Sequence, residues 1–332
     1  MRPPARETSA FLAKSRIRTV EIVFWLVAIA VWFVLPRQAG LLNQIAILAL
    51  FAVSLDLILG YSGIVSLGHA AFFGIGAYAA GLFAKHVFPD PIVGLGVGMA
   101  ASALLGILTS ALVLRGSDMT RLMVTLGVAL ILFELANRFD GLTGGADGLQ
   151  GVVVTPMFGI FAFDLASRVA YAYSLTVLIV LFIIARRIVH SPFGYGLIAI
   201  RDNSRRATAI GINASLRLAT IYTISAAYAG AAGALLAQTS GFVSLDVLEF
   251  HRSADVLLVL VIGGVGWLYG GVIGAVLFTA LQDALSTLTP QYWQGLIGIA
   301  LVVLVLVGRE RIGRFARGLI PVRWRERESN DA

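Results

Sequence analysis

Ser62 and His69 stand seven residues apart in the run GYSGIVSLGHAAFFGIGAYAAG, which extends from Gly60 to Gly81. A serine and a histidine this close raise the chemistry of an activated nucleophile, as in an intramembrane protease. That chemistry needs a base within hydrogen-bond reach of the hydroxyl. His69 is too near in sequence to face Ser62 if a helix begins between them. His86, His190 and His251 fall at the ends of apolar stretches, so the dyad partner expected deep in a later stretch is missing. The chain has no cysteine, which excludes disulfides and thiolate metal sites. It contains no G-x-x-x-x-G-K-[ST] loop, and its only lysines, Lys14 and Lys85, each follow an alanine. ATP chemistry would therefore need another subunit.

Passage of a polar solute is the other chemistry that such residues serve. Gly60, Ser62, Gly63, Ser66, Gly68 and His69 fall in a stretch whose glycines disfavour a regular helix by about 1 kcal/mol each relative to alanine. Irregular backbone at membrane depth is tolerated where it is buried in protein or lines a water-filled cavity. A half-helix starting near Ser66 would aim free N–H groups at a solute. A matching patch, GGVGWLYGGVIGA, carries Gly263, Gly264 and Gly266. Interrupted segments in both halves point to a transport pathway, and a plain loop between packed helices is the alternative. Asp56, Glu134, Asp255 and Asp283 lie within apolar stretches and should face protein or water. Asp56 is the deep one, with a structural hydrogen bond favoured over a solute or proton role.

The elements that must hold these residues are membrane helices. The 332-residue chain is 58% hydrophobic and 13% charged, with a mean hydropathy of +0.89. A soluble domain carries roughly 25% charged residues. Ten spans are expected, at about 19–36, 41–60, 69–85, 92–114, 120–138, 169–187, 216–240, 253–268, 270–288 and 293–309. The fold class is all-α and polytopic, a single transmembrane domain over 1–332. The first span reads as an uncleaved anchor. An even number of crossings puts twenty lysines and arginines on the inner side and five outside, so both termini are cytoplasmic. The net charge of +7 is distributed as orientation signals, not as a nucleic-acid surface.

Two small-residue stripes are spaced for helix packing: Ala70, Gly74, Ala77 and Gly81, and Ala226, Gly230, Gly233 and Ala237. Three segments lie outside the spans. The external loop 139–168 opens DGLTGGADGLQG and continues into the strand-like VVVTP. The cytoplasmic loop 188–215 is amphipathic, with Ile200, Ala207 and Ile210 on one side and Arg201, Asp202 and Arg205 displayed elsewhere. Two short helices with an Arg-Asp-Asn corner there would suit docking into a groove on a cytoplasmic partner; a surface-lying helix that fixes topology is the bland alternative. The basic tail 309–332 reads as a membrane anchor and topology signal.

With these motifs the sequence resembles the permease subunits of the branched-chain amino acid ABC import family, of the LivM-like kind. The resemblance runs from about Gln44 to Gly308. It rests on SLGHAAFFGIGAYAAG, TGGADGLQG, the long inner segment from SPFGYGLIAIRDNSRRATAIGINASLRL onward, and VLLVLVIGGVGWLYGGVIGA. It implies an importer with a second homologous permease, two ATPase subunits holding ATP and Mg, and an external solute-binding protein. It gives Gly194, Arg201, Asp202, Asn203, Arg206 and Gly211 a role in coupling to the ATPases, and makes TGGADGLQG part of an external docking surface. It implies a multi-pass protein of the bacterial inner membrane, not itself an enzyme. Trp267 stands where such permeases commonly carry a small residue, and Gly271 where they commonly carry proline; solutes across the family include branched-chain amino acids, urea, short amides and aromatic acids. A self-sufficient channel or secondary carrier is the rival reading.

Overall fold

The computed structural model describes residues 19–34, 36–156, 167–288, 295–296 and 298–299. The basic N-terminal segment, most of the tenth expected span and the tail 309–332 lie outside the described residues. Among the described residues, ten main helices come in chain order: α1 Thr19–Val34, α2 Ala39–Ser62, α3 Ala70–His86, α4 Pro91–Val113 and α5 Asp118–Arg138. After a loop come α6 Arg168–Val189, α7 Pro192–Ala209, α8 Ala214–Ser240, α9 Phe250–Gly263 and α10 Leu268–Leu288. The chain divides into two compact units, 1–276 and 277–332. The first unit holds α1 to α9 and the start of α10, together with every candidate residue of the glycine-rich breaks and the α7 corner.

Six of these helices, α2, α4, α5, α6, α8 and α10, are long and apolar enough to cross a membrane. The ten expected spans are thus not all matched by spanning helices among the described residues. α1, α3 and α9 are apolar but have 16, 17 and 14 residues. α3 keeps the length and bounds expected of it, 69–85, to within one residue.

At the centre of the first unit are α2 and α8. In their most apolar windows 83% of α2 and 67% of α8 are buried, against 17% of α5. Lipid is as apolar as leucine, so these helices associate through close backbone packing rather than the hydrophobic effect. α8 supplies the small residues for it. A Cβ at Gly233 would overlap the Phe73 carbonyl, and one at Gly76 would overlap Gly230. Along the same stripe of α8, Gly98 and Ser102 of α4 close on Gly230, while Gly106 meets Ala226 at 2.7 Å from where its Cβ would stand.

The stripe expected on α3 divides, with Ala77 at the Gly233 contact and its glycines on other segments. Gly74 abuts Leu248 and Gly81 abuts Leu149 and Val152, so this face holds the segments that precede α9 and follow α5. The α3–α8 contact uses Gly76, two residues off the Gly74 position. VVVTP forms no strand among the described residues. The loop is held instead by a single antiparallel bridge, Leu149 to Val243, and by the Thr155 amide donating to the Pro89 carbonyl at 2.8 Å. A lone bridge pairs one residue with one residue, which is too little ladder to order a strand.

Candidate functional site

α2 continues through Gly60, Tyr61 and Ser62, so the break begins at Gly63 and not at Gly60. Gly63 takes a left-handed φ of 74°, and the amides of Gly63 and Ile64 bond the carbonyls of Leu59 and Ile58, closing the helix end. From there the chain doubles back beside α2 in non-helical form. His69 Nε2 lies 2.8 Å from Ser54 Oγ, and its ring stacks on Phe51. Those partners sit about 12–16 Å back along α2 from Ser62, at about 1.5 Å per residue. The Leu67 amide donates to Thr125 Oγ1 at 3.3 Å, and Gly68 fits where a Cβ would overlap the Thr125 carbonyl. α3 starts only then.

This is irregular backbone buried in protein. Ser66 and His69 are wholly buried, and Ser62 nearly so. Ser62 Oγ donates to its own helix at the Ile58 carbonyl. The amides expected to await a solute are engaged within the chain: Ala70 N–H donates to Ser253 Oγ at 2.9 Å, and those of Ala71 and Phe72 to the carbonyls of Gly68 and His69. Ser66 Oγ and His69 Nδ1 are buried without a hydrogen-bond partner among the described residues.

A second cluster gathers where α2 ends. The turn between α9 and α10 runs through Gly264 and Gly266, with φ of 108° and 79°, conformations that a side chain would strain. Gly263 is pressed against the Gly270 carbonyl. The Gly266 amide donates to Asp56 Oδ1 at 2.7 Å, while Asp56 Oδ2 is buried without a partner among the described residues. Gly60 lies between them: a Cβ on it would overlap Asp56 Oδ1 and stand 2.6 Å from the Gly266 nitrogen. The two glycine-rich breaks of the sequence therefore meet through Asp56. Sequence spacing gave no sign of that pairing across 210 residues.

α7 joins this cluster. Ser191 caps it, Pro192 opens it, and Gly194 sits against the Val189 carbonyl with no room for a side chain. At Asn203 the helix breaks, with φ −158° and ψ 96°, and Asn203 Oδ1 accepts from the Arg206 amide at 3.0 Å to start a second helical piece. The Arg-Asp-Asn corner is thus built as two short helices. Gly211 then turns with φ 89°, and Asn213 caps α8. Asp202, Asn203 and Arg206 are exposed, and Ile200 and Ala207 buried. Ile210 departs from the expected apolar side, being 76% exposed beyond the last turn. Arg201 is exposed as expected, yet it also bonds back into the fold. Its Nη1 donates to the Gly60 carbonyl, and its other nitrogens hold Asp202 Oδ1 at 3.2 Å. It reaches inward, tying α7 to the end of α2.

Sequence pattern did not single out the fourfold stripe of α4, Gly94, Gly98, Ser102, Gly106 and Ser110, although its spacing of four is plain. Nor did it signal a buried polar knot at the opposite end. There Gln238 Nε2 donates to the Pro91 carbonyl at 2.8 Å, and the Tyr173 hydroxyl bonds the same carbonyl and Gln238 Oε1.

Residues 38–306 match the family model described as the permease component of branched-chain amino acid transport systems. The chain is 29% identical to the high-affinity branched-chain amino acid transport system permease protein LivM of Salmonella typhimurium, covering 89% of this chain and 73% of that one. It is 30% identical to LivM of Escherichia coli, covering 82% and 67%. A galactose/methyl galactoside import permease, MglC of Escherichia coli, is 24% identical over 90% of this chain and 95% of its own. No solved structure matches. Apolar helices of spanning length, an interlocked core and a match over most of the sequence agree: this multi-pass protein of the bacterial inner membrane belongs to the family of branched-chain amino acid transport permease components.

Proposed function

We propose that the chain is the translocation subunit of an ATP-driven importer for branched-chain amino acids or a related small solute. It works beside a second homologous permease, two ATPase subunits that hold ATP and Mg, and an external solute-binding protein. The chain crosses the membrane ten times with both termini in the cytoplasm. Two observations support that orientation: the start of α1 and the end of α6 are joined by Glu21 and Arg186 at 2.6 Å, and the end of α2 meets α7, so the basic segments collect at one end. The external loop 139–168 and the polar knot at Pro91 occupy the other end.

The observation that carries the mechanism is the bond from Arg201 to Gly60. Asp202, Asn203 and Arg206 offer the outer side of the α7 corner to an ATPase, and Arg201 hands its displacement to the end of α2. Asp56 and Gly266 then pass it to the α9–α10 turn, so three elements tilt together. Asp56, Ser62 and His69 act in this framework rather than by contact with solute.

The assembled transporter in vesicles tests this. Arg201→Ala should leave the ATPases co-purifying and ATP hydrolysis continuing, with ATP-driven leucine uptake lost. Lysine should not restore uptake, because it lacks the planar fork. ATP-driven uptake at the original rate in Arg201→Ala would overturn the assignment.

A further inference from the structure

A groove of about 290 Å³ opens between the middle of α5 and the start of α9. Leu126, Leu130 and Phe133 line it from α5, and Leu248, Glu249 and Phe250 from the other side. Residues 126–133 are the ninth to sixteenth of the 21 in α5, so the groove lies at mid-length of a spanning helix. Leu130 is 55% exposed there, and Glu249 is exposed with no ion pair or side-chain hydrogen bond among the described residues. One turn beyond Leu130, on the same side of α5, stands Glu134, also exposed. His251 and Asp255 follow on α9, 3.8 Å apart.

Charged side chains at such depth do not face lipid; they face protein or a water-filled cavity. The outer face of α4 makes the contrast. Leu104, Leu108 and Leu112 are as exposed as Leu130, and α4 carries no charged residue within its helix. The exposed face of α4 is thus uncharged, whereas the α5–α9 side carries Glu134, Glu249 and His251.

We propose that the α5–α9 groove is the wall on which the importer recognises its solute, an amino acid with an aliphatic side chain. The side chain lies on Leu126, Leu130, Phe133 and Phe250, and the ammonium group meets the Glu249 carboxylate. An apolar lining with one or two placed polar groups is what a small amphiphilic ligand needs. The proposal rests on the importer reading and adds the place and chemistry of recognition. It also distinguishes the groove from the glycine-rich breaks, whose polar groups are sealed inside the chain.

The absence of cysteine makes the test direct. Leu130→Cys and Leu108→Cys are introduced singly into the assembled transporter in vesicles, and labelling of this chain by a water-soluble methanethiosulfonate is followed. Thiolates form in water and not in lipid, so Leu130→Cys should react at least about tenfold faster. Saturating L-leucine delivered with the binding protein should slow that reaction severalfold. Glu249→Gln should lower leucine uptake about tenfold with the ATPases still bound, and Glu249→Asp should recover most of it. Equal labelling at the two positions, or a lack of protection by leucine while uptake is intact, would overturn the groove. If the unaltered transporter shows no ATP-driven leucine uptake, the importer reading fails instead, and the labelling ratio still decides whether the groove is wet.

Discussion

Asp56 shows how a single side chain is fixed by what surrounds it. Its Oδ1 accepts the Gly266 amide, and Gly60 leaves the space that brings the two together. Asp56→Asn keeps a carbonyl oxygen for that amide and should fold with near-original stability. Asp56→Leu orphans a buried N–H, which typically costs about 1–3 kcal/mol, and should lower the melting temperature of the purified chain. Equal melting of the two variants would show that the Gly266 bond contributes nothing. A deep carboxylate with a structural hydrogen bond was legible in the sequence, because insertion cost alone demands a partner. The partner's identity was not, since a turn 210 residues away has no local signature. The bond from Arg201 to the Gly60 carbonyl was not legible, because local pattern does not encode which carbonyl lies within its reach.

Helices here are held by absent side chains. Gly76→Leu and Gly233→Leu would each drive a branched side chain into a facing backbone, a disturbance of about 1–3 kcal/mol or more. Gly96 lies on the same kind of helix with open space around its Cα, so Gly96→Leu should be tolerated. Fluorescence-detected gel filtration of all three reads the outcome: equal monodisperse yield would mean that the stripes do not pack. The stripe of α8 was readable from its spacing, and so was the corner at Asn203, where polar side chains favour turns. Which neighbour each stripe meets was not readable. α8 serves α3 and α4 with one stripe, and Gly74 and Gly81 of α3 turn to Leu248 and Leu149. The break before α3 was half-visible: glycine density marks it, and only packing against Thr125 and Ser54 fixes its length.

For the whole molecule, the proposed orientation rests on the expected placement of twenty lysines and arginines inside and five outside, because retention of basic residues on one side is a property of the membrane rather than of packing. It predicts that Arg205→Cys in intact cells is closed to an impermeant thiol reagent and open in inverted vesicles, with Gln150→Cys behaving oppositely. Both positions are exposed, so access and not burial is what the labelling reports. Labelling of Arg205→Cys from outside would invert the topology. Spanning length was less legible for α1 and α9, which are apolar yet only 16 and 14 residues long.

The buried segment between α2 and α3 also sets an order of events during synthesis. The Ala70 amide finds its acceptor on Ser253, 183 residues later, which is roughly ten to forty seconds of elongation at about 5–20 residues per second. Gly76 likewise awaits Gly230. Until those residues emerge, the hairpin of α2 and α3 has left the ribosome with exposed backbone that lipid cannot satisfy. The early half of this protein must therefore be sheltered by the insertion machinery, or remain near the aqueous interface, until its later half arrives to close it.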